Sequence, residues 1–333
     1  MADTTYGDIS PRTAAWAAKE LLKRAVPYLI FEKFAQGQSL PSKSSKTVIF
    51  RRYNALNPAP QALVEGVTPA STTLTKTDIT CTLVQYGSVI GITDIILDTH
   101  EDNVLGESID LLGEQAAQMI EIVRFGVLKA GTNVCYSNGA SRVAVNTPIT
   151  LAAQRKVTKA LKRQNARPIT KVISSTPDFG TENVAASYIA VHHPDVDTDI
   201  KNMVGVDGRI VFIPVEKYGS TTPYPNEIGK VDDVRYLNST LCTPWIDAGG
   251  AKGTMLSTGG TSADVYPIIF IAQDSYAIVA LKGKHAITPM VVNPRPAPGD
   301  ALGQRGTIGF KTLTGCVILN DQWLCRLEVA VTA

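Results

Sequence analysis

The densest set of side chains able to do chemistry is "HHPDVDTD", which places His192, His193, Asp195, Asp197 and Asp199 within one short stretch. Imidazoles and carboxylates at this density are potential metal ligands, and a metal-dependent hydrolase centred on His192, His193 and Asp195 is the chemistry they would support. The spacing argues against it. Counted from Asp195, a calcium loop needs glycine at its sixth position and a bidentate glutamate at its twelfth, where this chain has Ile200 and Val206. Neither H-x-x-x-H nor H-E-x-x-H is present, so zinc has no spaced pair to bind. A strand end followed by an aspartate-started helix accounts for the same residues.

Other chemistries lack their signatures. There is no G-x-S-x-G, no G-x-x-x-x-G-K-[ST] and no G-x-G-x-x-G after a strand, and "GGAKGT" (Gly249 to Thr254) has glycines without the phosphate-cradle spacing. The cysteines, Cys81, Cys135, Cys242, Cys316 and Cys325, are odd in number, scattered and free of C-x-x-C, which fits reduced, mostly buried thiols. No catalytic residue, metal or other cofactor is expected. A basic stripe, Arg155, Lys156, Lys159, Lys162, Arg163 and Arg167, lies on a segment of helical spacing. It could touch nucleic-acid phosphates, but no aromatics interleave it, and a solvated face or an acid-pairing surface explains it as well.

The elements that would position these groups follow from composition and periodicity. At 333 residues, 44% hydrophobic and 19% charged, the chain can bury a sizeable core, while a net charge of +2 supplies no global field for binding nucleic acid or membrane. The first residues read as no signal peptide and no apolar run reaches the ~20 residues needed to span a bilayer, so synthesis in the cytosol is expected. Ser10-Pro11 opens an amphipathic helix that Pro27 stops, and a sticky segment, Tyr28 to Phe34, is followed by the polar linker "GQSLPSKSSK". This reads as an arm with apolar residues and no adjacent core.

Two runs, "KTVIFRRY" and "LTKTDITCTLVQYG", read as long strands joined by the proline-bearing loop "NALNPAPQALVEGVTPAST". A two-stranded ribbon is marginal in water by itself. Something outside this stretch must cover it. From His100 to Ala130 apolar residues recur at spacings of three and four, predicting one long helix, with Glu107, Asp110, Glu114, Gln118, Glu121 and Arg124 on the opposite face. Thr147-Pro148 is expected to open a second helix through about Asn165, "NVAASYIAVHHP" reads as a buried strand, and the chain from Gly205 onward is β-rich, ending in two strands joined at Asn320-Asp321.

Five segments carry a family likeness: "LVEGVTP" (Leu63 to Pro69), "TLVQYGSVIGITD" (Thr82 to Asp94), "LLGEQAAQ" (Leu111 to Gln118), "AVHHPDVDTDIK" (Ala190 to Lys201) and "NEIGKVDDVRYLNS" (Asn226 to Ser239). Together and in this order they resemble the major capsid proteins of tailed bacteriophages, of the short-tailed coliphage coat type. The resemblance implies an α+β protein of the HK-type capsid fold, with an arm over residues 1–42 and an extended hairpin, the E-loop, over 43–96. A peripheral domain with a spine helix would span 97–202, completed by 290–333, and an axial domain 203–289.

It also implies a structural, non-enzymatic protein of the virion, made in the host cytoplasm, whose copies form pentamers and hexamers of an icosahedral head around double-stranded DNA. Portal and scaffold or decoration proteins would be partners, and a membrane would not. On that reading Arg51, Arg52, Tyr53 and Glu65 make polar contacts between subunits, while Leu56, Leu63, Val64, Tyr28, Phe31 and Phe34 provide apolar burial there. The basic stripe would face DNA. An encapsulating-compartment shell protein is the related alternative.

Overall fold

The computed structural model describes residues 29–41, 43, 45–59, 62–63, 65–66, 68, 71–99, 104–170, 186–218, 224–281, 288–296 and 299–333. The expected N-terminal helix, Tyr28 and Val64 lie outside the described residues. The described residues form fourteen strands: β1 (Gln36–Leu40), β2 (Thr47–Tyr53), β3 (Lys76–Thr82), β4 (Val84–Thr93), β5 (Val134–Tyr136), β6 (Tyr188–His192), β7 (Ile213–Pro214), β8 (Glu227–Val231), β9 (Val234–Asn238), β10 (Tyr266–Ile271), β11 (Tyr276–Leu281), β12 (Thr288–Val292), β13 (Arg305–Ile318) and β14 (Leu324–Val329). Four α-helices accompany them: α1 (Asp94–Thr99), α2 (Val104–Lys129), α3 (Leu151–Arg163) and α4 (Asp197–Lys201).

Among the described residues the strands form a seven-stranded sheet in the order β5-β14-β10-β6-β9-β8-β7, a five-stranded sheet in the order β1-β11-β13-β12 with β4 also on β13, and the two-stranded ribbon β2-β3. The seven-stranded sheet is covered on both faces, so β6 is buried at every position and reads as an apolar run from Tyr188 to Val191 closed by the buried His192. Alternate residues of its strands serve two cores. Tyr188, Ala190, Tyr236, Phe270 and Leu327 pack with Leu151, Val157 and Leu161 of α3. Ile189, Val191, Leu237, Ile269 and Leu324 pack with Phe125 and Leu128 of α2.

Two chain segments join the sheets. β10 and β14 pair antiparallel in the large sheet, and their continuations β11 and β13 pair antiparallel in the other. The break is bridged, since Leu319 and Asn320 N–H donate to the Ser275 carbonyl (2.9 and 3.1 Å) and Ala272 N–H donates to that of Trp323 (3.1 Å). The closing strands therefore share no hairpin; each pairs with another segment. Nor does a boundary at 202/203 separate two cores, because β5, β6 and β14 lie in one sheet with β8, β9 and β10.

Several local expectations change. The long strand after the loop breaks at Leu83, which is 2% exposed, packs with Leu40, Cys81 and Val279, and donates its N–H to the Lys46 carbonyl at 2.9 Å. That anchor turns the chain from the ribbon into the five-stranded sheet, where β4 pairs with β13 from Arg305↔Thr93 to Thr314↔Val84. The ribbon ladder is correspondingly short, seven residues per strand, or about 23 Å at ~3.3 Å per residue. The polar stretch expected to be a linker holds Gly37 to Leu40 of β1, which pairs parallel with β11.

Helix α2 extends over 26 residues, as the three-and-four spacing requires. Glu121 and Arg124 do not lie on its outer face; both are buried. Helix α3 starts later than Thr147-Pro148: Thr150 is its N-cap, with the side chain accepting the Ala153 N–H at 3.2 Å.

Leu83→Ala should destabilise the protein by about 2–5 kcal/mol through transfer and cavity costs, whereas Leu63→Ala, at a position 74% exposed, should change stability by less than about 0.5 kcal/mol. Urea unfolding of both variants checks the pair, and equal effects would refute the anchor role of Leu83.

Candidate assembly interface

The ribbon has two unlike faces because successive residues alternate across the pleat. Val48, Phe50, Cys81 and Ile79 face the body: Val48 pairs with Cys81 and Phe50 with Ile79, and these side chains are buried or half-buried. The outer face pairs Ile49 with Thr80, Arg51 with Asp78 and Tyr53 with Lys76. Ile49 is 61% and Tyr53 63% exposed, and the loop beyond adds Leu56, Leu63 and Leu74, each more than half exposed. Glu65 and Arg52 are also exposed.

Local polar bonds fix this strip. The Arg51 guanidinium donates to both Asp78 carboxylate oxygens (2.9 and 3.2 Å), and Lys76 approaches the same group at 3.3 Å. Arg51 therefore has a partner in its own ribbon, and at this exposure solvent screens the pair, so it fixes local geometry more than it stabilises the fold. Asn54 closes the ladder through Thr75 and Thr77. Arg52 and Ile79 line a cleft of about 450 Å³ between the ribbon and the turn that contains Asp321.

The arm behaves differently from expectation. Phe31 is fully buried and Phe34 is 6% exposed, both inside this chain's own core. Phe31 stacks on Phe125 at 6.3 Å, and Phe34 meets Tyr224 edge to face at 5.1 Å. What holds the segment is Glu121 of α2, whose Oε1 accepts the N–H groups of Ile30 (2.8 Å) and Phe31 (2.9 Å). Arg124 bridges Glu121 and Glu32 at 3.7 and 3.2 Å, and the Tyr276 hydroxyl donates to the Phe31 carbonyl. Burial pushes the Glu121 carboxyl up, against the opposing pull of the two N–H groups and Arg124. Sequence reading missed both residues because it assigned every charge to the solvent face. The signal was present, since Ala117, Glu121, Arg124 and Leu128 continue one arc at spacings of four, three and four.

The histidine–aspartate stretch is committed to structure. His192 is fully buried, its Nδ1–H donates to the His193 carbonyl at 2.8 Å, and burial pushes its pKa down, so it is held neutral. Asp195 accepts from the Tyr266 hydroxyl (2.7 Å), Asp197 from Asn238 (3.1 Å), and Asp199 from the N–H and hydroxyl of Thr332 (3.0 and 2.8 Å). His193 caps the turn by accepting the Asp195 N–H. Each side chain ties a strand, turn or terminus, and among the described residues no histidine, cysteine or acid group of three or more is gathered for a metal.

The basic stripe is exposed on α3 but partly neutralised. Arg155 donates to Asp232 at 2.7 Å and Lys162 pairs with Asp233, both from the β8–β9 turn. Lys156, Lys159 and Arg163 are exposed beside them. One charge cluster is interior: Glu328, 0% exposed, is held bidentately by Arg142 (2.8 and 2.8 Å) and by Arg326 (2.8 Å).

Comparison with known proteins adds a family to this geometry. The profile of a family described as "Phage capsid protein" matches residues 76–313. No curated protein matches the sequence. The fold is similar to the capsid of Ralstonia phage GP4 (12% identity, 90% of this chain and 88% of that one, TM-score 0.63). It is also similar to the Cyanophage Pam1 capsid (17% identity, 90% and 89%, TM-score 0.60) and the head of Helicobacter pylori bacteriophage KHP40 (14% identity, 89% and 87%, TM-score 0.55).

The arm anchor has a pH signature. A carboxyl whose folded pKa lies above its unfolded value binds more protons in the native state, so wild-type stability should fall as pH rises from about 4.5 through the raised pKa. Glu121→Gln should flatten that window, and Glu121→Ala should cost on the order of 3 kcal/mol at neutral pH by leaving the buried Ile30 and Phe31 N–H groups without their acceptor and Arg124 with Glu32 alone. Urea midpoints measured from pH 4 to 8 check both; an unchanged slope in the glutamine variant would refute the assignment.

Proposed function

The chain belongs to the phage capsid protein family and is a structural subunit of a self-assembled virion shell; from that premise we propose that its copies close as pentamers and hexamers of an icosahedral head around double-stranded DNA. The observation that carries the reading is the ribbon's uncovered outer strip, Ile49, Tyr53, Leu56, Leu63 and Leu74. Scattered exposed apolar residues are ordinary, but a strip concentrated on one ribbon and its loop marks a contact surface. Burial at roughly 25 cal/mol per Å² of apolar area would supply most of the cohesion there, with Arg52 and Glu65 setting register at the rim.

Repeated head-to-tail contacts of one chain close into rings when the rotation closes, which is how a single ribbon can serve two ring sizes. Phe31 and Phe34 play no part in this contact, being internal. For the DNA side we assign the cations of α3 beyond the two acid-paired ones, Lys156, Lys159 and Arg163, as non-specific phosphate neighbours. Portal and scaffold or decoration proteins complete the assembly, and synthesis takes place in the host cytoplasm.

Deleting residues 55–72 should leave subunits with native circular dichroism that form no closed particles in negative-stain electron microscopy. Closed shells of normal size from the deleted chain would sink the role given to the ribbon. Nuclease-protected double-stranded DNA inside wild-type particles is expected; protein cargo without DNA would favour an encapsulating compartment.

A further inference from the structure

Two cysteines 190 residues apart in sequence meet in the fold with their sulfurs 3.7 Å apart. Cys135 lies in β5, the three-residue edge strand of the large sheet, and Cys325 in its neighbour β14. The strands run parallel with Cys135 opposite Leu327, so Cys325 shares its face, and both thiols enter the core beneath α3. Two sulfurs at this separation are in van der Waals contact, and the bonded distance is ~2.05 Å. The gap is on the scale of a side-chain rotation. We propose that Cys135 and Cys325 form a reversible, oxidant-driven disulfide that staples edge strand β5 to the C-terminal strand.

The two thiols are unequal in a way that assigns roles. Cys135 is 9% exposed at the sheet edge and Cys325 is 0% exposed, so a small oxidant reaches Cys135 first. The Cys325 thiol donates its hydrogen bond to the Cys135 sulfur, holding Cys135 down to about 7 with help from Lys156, while burial opposes the shift. The Cys325 thiol is pushed up, by that bond first and by burial second. The other three, Cys81, Cys242 and Cys316, are raised by burial, Cys316 to about 12.

With hydrogen peroxide the steps balance. The Cys135 thiolate attacks one peroxide oxygen, the O–O bond breaks, and the departing hydroxide takes a proton and leaves as water, giving a sulfenic acid. Cys325 then attacks that sulfur, the S–O bond breaks, and the hydroxyl leaves with the Cys325 proton as a second water. The two thiols lose two protons and two electrons in all, and one peroxide takes them up to become two waters. In a reducing cell interior the pair stays as thiols; a particle outside the cell meets oxidants. Because the cross-link closes a long loop, it restricts the unfolded chain.

The test uses the full-length protein, fully reduced, then treated with dilute hydrogen peroxide, alkylated under denaturing conditions and mapped by mass spectrometry without reduction. One linked Cys135–Cys325 peptide is expected, lost on dithiothreitol treatment, with Cys81, Cys242 and Cys316 alkylated and a Tm raised by several degrees. A Cys325→Ser variant should instead show Cys135 trapped by dimedone. Five alkylated cysteines, Cys135 accumulating as sulfinic acid in the wild type, or a link between other cysteines would each overturn the proposal; the wild-type map decides even if the variant fails to fold.

Discussion

Everything in this fold hangs on two antiparallel chain segments that stay paired while they pass from one sheet to another. Residues 266–281 and 305–329 are hydrogen-bonded as β10 with β14, bridged through Ser275 and Trp323, and bonded again as β11 with β13. Backbone groups at such a crossing are buried and must find partners. Because the break falls at the same place in both segments, each satisfies the other. β6 and β5 then attach to one half, and β1, β4 and β12 to the other.

Interior charge fastens the peripheral pieces to this frame. Glu121 takes the N–H groups of Ile30 and Phe31, Glu328 takes Arg142 from the loop after β5, and Glu227 holds Arg235 bidentately at 2.6 and 2.5 Å while accepting from the Tyr218 hydroxyl and Tyr224 N–H. A buried ion pair is a poor source of net stability relative to apolar packing, because both ions lose water. What it contributes is geometry, since a carboxylate with several donors tolerates one arrangement. The charges thus select where the arm and loops attach.

How much of this was legible in the residues depended on the kind of signal. The three-and-four spacing of Ile109, Leu112, Ala116 and Ile120 identified α2, and the apolar run at 188–191 identified a buried strand. The ribbon was legible through its threonines and β-branched residues, and the family likeness through motifs spread along the chain. Partner choice was not. Period-two patterning says which side of a strand is apolar but not which strand lies beside it, so the separation of β10 from β11 and of β13 from β14 into two sheets left no local trace. The break at Leu83 was hidden because a leucine inside a strand-like run looks like one more strand residue. Glu121 and Arg124 were misplaced by the ordinary expectation that charge faces water, and Cys135 and Cys325 were brought together only by the pairing of β5 with β14.

The way the ribbon is rooted sets how it bears load. Both legs enter the same five-stranded sheet, β2 through β1 on β11 and β3 through β4 on β13. A tug on the tip that runs along β4 strains its ten residue pairs with β13 simultaneously, in shear, instead of opening them one after another like a zipper. Hydrogen bonds loaded side by side fail only together, so the leg that continues into β4 resists such a pull as a unit, while the leg through β1 has only five residue pairs with β11.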